Sequence, residues 1–448
     1  MSKGYLARKF AQWVTDFNSL DIPSSVVRCG RRSIVDTLGV MVAGGKHEKV
    51  VALGRVFSKS VGPCDVIGGN STNALAAATV NGMAAHVWDF DDNSYTAILH
   101  GSTIIFPSVL AVTQAEQLDS DDMLKAFILG SEIAYTLGEI CGHSHFLSGW
   151  WSTGSCGIIG AVAGVCWLYG MDEDAITSAI GMAAVTSPIA RAIAGTDTKP
   201  YLAGNVAARA ISIATAARAG LTGPEDAFEQ ENGFFNLLND GNSQMSVLDQ
   251  LEYRWRLENP GIFFKTSPVC SAAHAGIDLV TRLVTENNIK PETIESIKAY
   301  VPKTVFNSLV YEIPCNIQQA QFSLPYCLAC AILHGRVRLD DLSPAELDSP
   351  MKKRLMLLVE TYFSAELSTE EISVKFPECI RIELMLEDGK KIQGFCGEPY
   401  GMPNSALTDA ALTKKFNECL EFSKINKKFP QPLMGNLLRL ATELLKPI

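Results

Sequence analysis

The 448-residue chain predicts a mainly α fold, a large all-helical domain joined to a smaller α+β domain. Three observations carry that reading. Up to about residue 260 the apolar residues fall into segments of helix length, with small residues at the contacts and Gly, Pro or Asp at the ends. No β-branched alternation interrupts them convincingly. Beyond Asn259, Pro260 and Gly261 the texture changes, and Ile380, Ile382, Leu384 and Leu386 alternate with Arg381 and Glu383 ahead of a turn over 387–390.

Taken in order, Leu6, Phe10, Trp13, Val14 and Phe17 form one helical stripe. Pro23 and Ser24 restart the chain, with Ser as N-cap, into a helix through Ile34, Val35 and Leu38 that Gly44 and Gly45 end. Helices are expected over 71–87, 107–117, 120–141, 157–170, 172–184 and 205–219. After Lys265 come a helix over 272–286, a strand over 297–301, a strand over 371–376 and a hairpin of 380–386 with 391–395. Helices over 408–422 and 432–445 close the chain and return to the first domain. The resulting division is 1–264, 265–400 and 401–448.

Apolar residues make up 47% and charged residues 19%, which with a mean hydropathy of +0.13 describes a large buried fraction or an obligate oligomer. The net charge of -10 and the lack of a basic run disfavour a nucleic-acid partner, while leaving room for an anionic substrate held by a few local cations. The N-terminal residues carry charges through their apolar pattern without a signal-peptide core, so a cytoplasmic location is expected. The stretch from His145 to Met171 has membrane length, but five glycines between Gly149 and Gly164 fit a helix packed inside protein. No membrane partner is expected. Gly154, Gly157 and Gly160 lack the spacing and the preceding strand of a nucleotide-binding turn. The twelve cysteines read as reduced core thiols, and Cys327 with Cys330 lacks the second half of a zinc site.

The chemistry gathers in the stretch from Trp88 to Thr103. Three carboxylates, Asp89, Asp91 and Asp92, end a run rich in Ala and Gly, where ionised groups need cations or donors, and His100 follows. The plain alternative is an acidic cap beside a satisfied core histidine. Four further patches hold reactive residues: Lys199 in a loop ahead of the Asn205 helix, Lys265 with Cys270 and His274 at the domain junction, Gln318 to Tyr326, and Trp151 before the glycine-rich helix. Singly, each is more often a surface charge or a packing residue.

In this shared order the patches resemble the MmgE/PrpD family, which includes 2-methylcitrate dehydratases, cis-aconitate decarboxylases and iminodisuccinate epimerase. The likeness spans nearly the whole chain, from the opening helices through Asp89 to His100, Thr198 to Gly204, Lys265 to His274 and Gln321 to Tyr326 to Gly401 to Asn404. It implies a helical domain closed by the C-terminal helices, an inserted α+β domain, a pocket between them, a homodimer, and neither metal nor organic cofactor. The pocket residues it implies are Asp89, Asn93, His100, Lys199, Lys265 and Tyr326, with Cys270, Trp151 and His274 nearby. This chain departs from the pattern at Asn93, Gly101, Trp151 and Leu202, where relatives often carry Thr, Pro, His and His, and at Cys270, where animal decarboxylases carry His.

The family chemistry makes and quenches a carbanion next to a carboxylate. Lys199 and Lys265 suit the substrate's carboxylates, His100 the proton transfer with Asp89 fixing its tautomer, and Tyr326 or Cys270 delivery of a proton from another face. A dehydratase or decarboxylase of a citrate- or aconitate-like polycarboxylate is expected. The rivals are an epimerase, which tolerates fewer imidazoles, and a non-catalytic binding or scaffold protein.

Overall fold

The computed structural model describes residues 4–57, 59–251 and 253–424. The helical body opens with α1 (Leu6–Asp16), α2 (Ser24–Gly44), α3 (Glu48–Phe57) and α4 (Ala74–His86). It continues through α5 (Ser102–Ala115), α6 (Ser120–Leu147), α7 (Ser152–Leu168), α8 (Glu173–Val185), α9 (Thr198–Arg218) and α10 (Phe234–Asn239). Short polar side chains start several of these: Asn73 accepts from the Ala76 amide, Asp119 from Asp121 and Asp122, and Asp172 from Ala175.

Helices α4, α5 and α7 are apolar on all sides and sit at the centre of the body. Small residues let them approach closely. A Cβ on Gly204 of α9 would stand 1.8 Å from the Thr79 carbonyl of α4, and one on Gly160 of α7 would stand 2.1 Å from the Gly130 carbonyl of α6. Among the described residues no helix is long and apolar enough to cross a membrane.

Two helix starts differ from the sequence expectation in ways that bear on chemistry. Helix α5 begins at Ser102 and runs through Pro107, so His100 stands directly ahead of its first turn. Helix α9 begins at Thr198, so Lys199 lies in the first turn and not in a preceding loop. Pro200 and the missing early amphipathic pattern hid that turn, although proline is well tolerated there. Gly142, at φ 68°, kinks the long α6 near its C-terminal end.

A two-stranded pair, β1 (Asn93–Ser94) with β2 (Ile262–Phe263), interrupts the all-helical expectation. It is too short for an alternation signal, yet it ties the acidic loop to the segment leading into Lys265.

The smaller α+β part contains α11 (His274–Glu286), β3 (Ile294–Val301), α12 (Lys303–Ser308), α13 (Ile317–Ala320), α14 (Leu324–His334), α15 (Pro344–Leu347), α16 (Pro350–Leu357), β4 (Val359–Phe363), α17 (Glu370–Lys375), β5 (Ile380–Leu386) and β6 (Lys391–Cys396). The sheet order is β4-β3-β5-β6, with β3 parallel to β4 and the other pairs antiparallel. Helices α11 and α14 cover one face. The strand expected over 371–376 is instead α17, a half-exposed turn of helix opened by Glu370 and Glu371, which favour a helix N-terminus. The edge position is taken by β4, whose exposed Glu360, Tyr362 and Phe363 give no buried alternation to read.

Helix α18 (Asp409–Ser423) packs on α2. Its Lys415 pairs with Asp36 at 2.7 Å and donates to the Phe90 carbonyl at 2.7 Å, so the C-terminal helix grips the acidic loop from behind. The helix expected over 432–445 lies outside the described residues. The cysteines are all free, and Cys327 and Cys330 are buried in α14.

Candidate active site

The acidic loop leaves the end of α4 with Asp89 in the left-handed region at φ 46°, a turn that Asp tolerates better than most residues. That turn sends neighbouring carboxylates in different directions. Asp91 lies between two imidazoles, 2.9 Å from His86 Nδ1 and 2.7 Å from His100 Nδ1. The rings of His86 and His100 meet edge to face at 4.9 Å. His100 Nδ1 also lies 3.1 Å from the Asp92 carbonyl. Both neighbours of Nδ1 are acceptors, which assigns the proton to that nitrogen and leaves Nε2 as the free lone pair. Burial pushes the ring's pKa down to about 4 against the pull of Asp91, so His100 is neutral near pH 7. Its backbone is fixed as well: the amide donates to Thr153 Oγ1 at 3.0 Å, and Thr103 Oγ1 donates to its carbonyl at 2.8 Å.

Asp89 serves the lysines. Its Oδ1 accepts from Lys199 Nζ and from Lys265 Nζ, each at 2.9 Å, and its carbonyl accepts from Lys265 at 2.8 Å. Burial would push the Asp89 carboxyl up, but Lys199 and Lys265 outweigh it and hold the group well below the usual carboxylate range. Burial alone would likewise lower Lys265, and Asp89 with Asp91 raises it instead. Asp92 behaves oppositely. Buried next to Asp36 and Asp91, with a hydrogen bond from Ser102 at 2.8 Å, it is pushed up to about 8 and stays protonated at neutral pH. The role expected for Asp89, fixing the tautomer of His100, therefore falls to Asp91.

His100 and Lys199 open onto a cavity of about 440 Å³, walled by residues that include Trp151, Cys270, Phe322 and Glu378. Lys265 and Asp89 lie just behind that wall, fully buried. Asn93 is also buried there, off the wall, with both amide atoms unpartnered among the described residues. Two predicted residues do not join the site. His274 donates from Nδ1 toward the Cys270 and Ser271 carbonyls at 3.2 and 3.3 Å, while Nε2 accepts from the Ser267 amide at 3.3 Å. It is a fully satisfied core histidine. Tyr326 donates its hydroxyl to the Asp341 carbonyl at 2.5 Å and faces the α+β core, so it cannot reach the cavity without breaking that bond. Leu202 packs against the hydrophobic core.

Residues that sequence reasoning passed over complete the site. Glu378, from the loop before β5, reaches the cavity wall and accepts from Tyr95 and from Ser271 Oγ, the latter at 3.0 Å. Burial pushes its carboxyl up to about 7. Burial also raises the Cys270 thiol to about 12. Thus near pH 7 the wall presents a neutral imidazole, a thiol that keeps its proton and a carboxyl about half protonated. Asp91 and His86 lay within the acidic stretch and its helix, so their signal was present but unresolved between neighbours. Nothing around Glu378 distinguishes it in sequence from a surface acid.

His86, Asp89, Asp91 and His100 offer ligand atoms within 4.8 Å of one another, close enough to surround a cation. Two ammonium groups already share Asp89, and their charge opposes a divalent ion beside it.

Residues 8–245 match the family model of the MmgE/PrpD N-terminal domain, and residues 267–428 match that of the MmgE/PrpD C-terminal domain. The cis-aconitate decarboxylase of Homo sapiens is 25% identical over 427 residues, 92% of this chain and 87% of that protein. The cis-aconitate decarboxylase of Aspergillus terreus is 24% identical over 446 residues, covering 91% and 88%. The cis-aconitate decarboxylase-like protein oryM of Aspergillus oryzae is 23% identical over 473 residues, covering 98% and 95%.

Proposed function

The chain belongs to the MmgE/PrpD family, and from that membership we propose that it is a cofactor-independent lyase acting on a citrate- or aconitate-like polycarboxylate through a carbanion next to a carboxylate. The observation that carries the reading is His100, neutral and held at Nδ1, with Nε2 free on the same cavity wall as Lys199. A carbanion forms only if its charge is delocalised into an adjacent carboxylate that a cation stabilises. Lys199 supplies that cation, positioned through Asp89, while Lys265 shares the same carboxylate from behind.

Loss of carbon dioxide is the better supported of the two lyase reactions, because the relatives named above are decarboxylases or decarboxylase-like. In that reaction the carbon–carbon bond to the departing carboxylate breaks and its electron pair stays on the substrate. A proton then closes the step, from the Cys270 thiol or from the fraction of Glu378 that keeps its proton around pH 7. In dehydration His100 would first remove the α proton, and a wall acid would protonate the departing hydroxide.

A second reading has an observation of its own. A free base at His100 and a proton-bearing Cys270 on one cavity are the two partners an epimerase needs. Assembly as a homodimer remains part of the proposal.

Incubation with cis-aconitate, 2-methylcitrate and iminodisuccinate in deuterated water, followed by NMR, separates these readings. Loss of carbon dioxide or water supports a lyase, and deuterium at the α carbon without net conversion supports an epimerase. Inertness across a wider polycarboxylate panel would leave the binding or scaffold role. Where His100 is the base, in dehydration or epimerisation, His100→Ala should lower turnover by about 10²- to 10⁴-fold, and in decarboxylation, whose proton comes from another wall group, by less. Unchanged turnover in that variant would remove His100 from the chemistry.

A further inference from the structure

We infer that Arg191 holds a second carboxylate of the substrate, away from the one at Lys199, so that the cavity selects molecules with at least two separated carboxylates. The inference rests on the carboxylate reading of the cavity and adds the residue that sets substrate class.

Arg191 belongs to a single 3₁₀ turn between α8 and α9, Arg191–Ile193. Its backbone is tied down from both sides: the Arg191 amide donates to the Gly149 carbonyl at 2.8 Å, and Ala190 bridges to Trp150. The guanidinium lies 4.1 Å over the Phe146 ring, which fixes its plane. Its Nη1 is buried without a hydrogen-bond partner, and no carboxylate of the described residues pairs with it. Arg31, Arg209 and Arg381 also carry unpartnered nitrogens, but none of them lines this cavity.

A guanidinium nitrogen buried without a partner is costly, and it persists where a bound anion completes it. The planar fork of donors fits a carboxylate edge-on, and its charge does not depend on pH in the working range. The rest of the wall does not compete for this role. Lys199, held by Asp89, serves the first carboxylate, and Asn307, Ser308 and Ser271 supply neutral contacts. Phe146, Val310, Tyr311 and Phe322 are bulky side chains that leave the two cations as the anchors for charge. The cavity of about 440 Å³ has room for both carboxylates and the carbon skeleton between them.

Calorimetric titration of the intact protein with tricarballylate and with butyrate tests this. In Arg191→Met, tricarballylate should bind about 10- to 100-fold more weakly, the loss expected for a charge-assisted hydrogen-bonded pair, while butyrate binding stays unchanged. Arg191→Lys, which keeps charge but loses the fork, should recover part of the difference and guards against misfolding of the Met variant, as does a thermal melt. On any turned-over polycarboxylate the substitution should raise KM and leave kcat within a few-fold. His100→Ala should bind tricarballylate like the wild type, so loss of chemistry and loss of anchoring read out separately. Equal tricarballylate binding in wild type and Arg191→Met, an equal loss for butyrate, or no tricarballylate binding by the wild type would each overturn the inference. If affinity falls as expected but no polycarboxylate is ever converted, the lyase proposal fails and the anchor stands.

Discussion

Asp91 and Asp89 are two residues apart and do different work. Asp91 holds the proton of His100 on Nδ1, so Asp91→Asn should let the ring flip or change tautomer and, in a reaction that uses His100 as base, lower kcat by about 10²- to 10⁴-fold, with little change in substrate binding. A KM that rises while kcat holds would contradict that assignment. The acid limb of activity belongs to the same residue. Because burial has already lowered His100 to about 4, the base form persists well below pH 6.5, and kcat/KM should not fall between pH 7 and about 5. In the sequence, Asp89, His100, Lys199 and Lys265 stood out because each is a polar group where an apolar segment would not ask for one. Which aspartate faces the imidazole was not readable, since the left-handed turn at Asp89 decides it. Glu378 and Arg191 were equally silent, because their significance comes only from the burial and the cavity that tertiary contacts create.

Helices were legible where small residues and caps marked them, and the contact between α4 and α9 shows what those small residues accomplish. Gly204 lets α9 lie against α4 closely enough for Lys199, one turn and a half earlier, to reach Asp89 beyond the end of α4. A methyl group at Gly204 would overlap the Thr79 carbonyl, which is rigid backbone. Gly204→Ala should therefore destabilise the fold by at least about 1–3 kcal/mol, measured by urea unfolding, and should weaken substrate binding as Lys199 moves. Wild-type stability would mean that the two helices slide apart freely. The misread segments failed for physical reasons too. The residues 371–376 carry β-branched side chains but bury none of them, so helix-favouring acids at the start decide the outcome. Edge strand β4 is exposed along much of its length, and its pairing with β3 depends on a crossover that no local pattern announces.

Across the whole molecule buried ionisable groups have opposed shifts, and these predict how stability depends on pH. Asp92, Glu132 and Glu378 are pushed up by burial to about 8, 7 and 7. Above the ordinary carboxylate range the native state therefore keeps protons that the unfolded chain has released. Their contribution is fully present below the unfolded values near 4 and is lost as pH rises through 7 and 8. His100, His145 and His274 are pushed down, chiefly by burial, to about 4, 4 and 3. Below about pH 6.5 the unfolded chain takes up protons that the native rings refuse, so their contribution is lost as pH falls from 6.5 toward 4. Between about pH 4.5 and 6.5 the two sets act in opposite directions and the curve should be nearly level. Above pH 7 the carboxyls lower the urea midpoint until about pH 8, and toward pH 9 the buried thiols of Cys64, Cys270, Cys330 and Cys419, pushed up to about 11–12 by burial, carry the decline further as the unfolded thiols ionise. Asp92→Asn, which cannot ionise, should make the fall between pH 7 and 8 shallower while changing the midpoint at pH 6 much less. A wild-type midpoint that climbs from pH 6 to 9 would show that these carboxyls are already charged in the native state, and with that the protonated Glu378 assigned to the cavity wall would be lost.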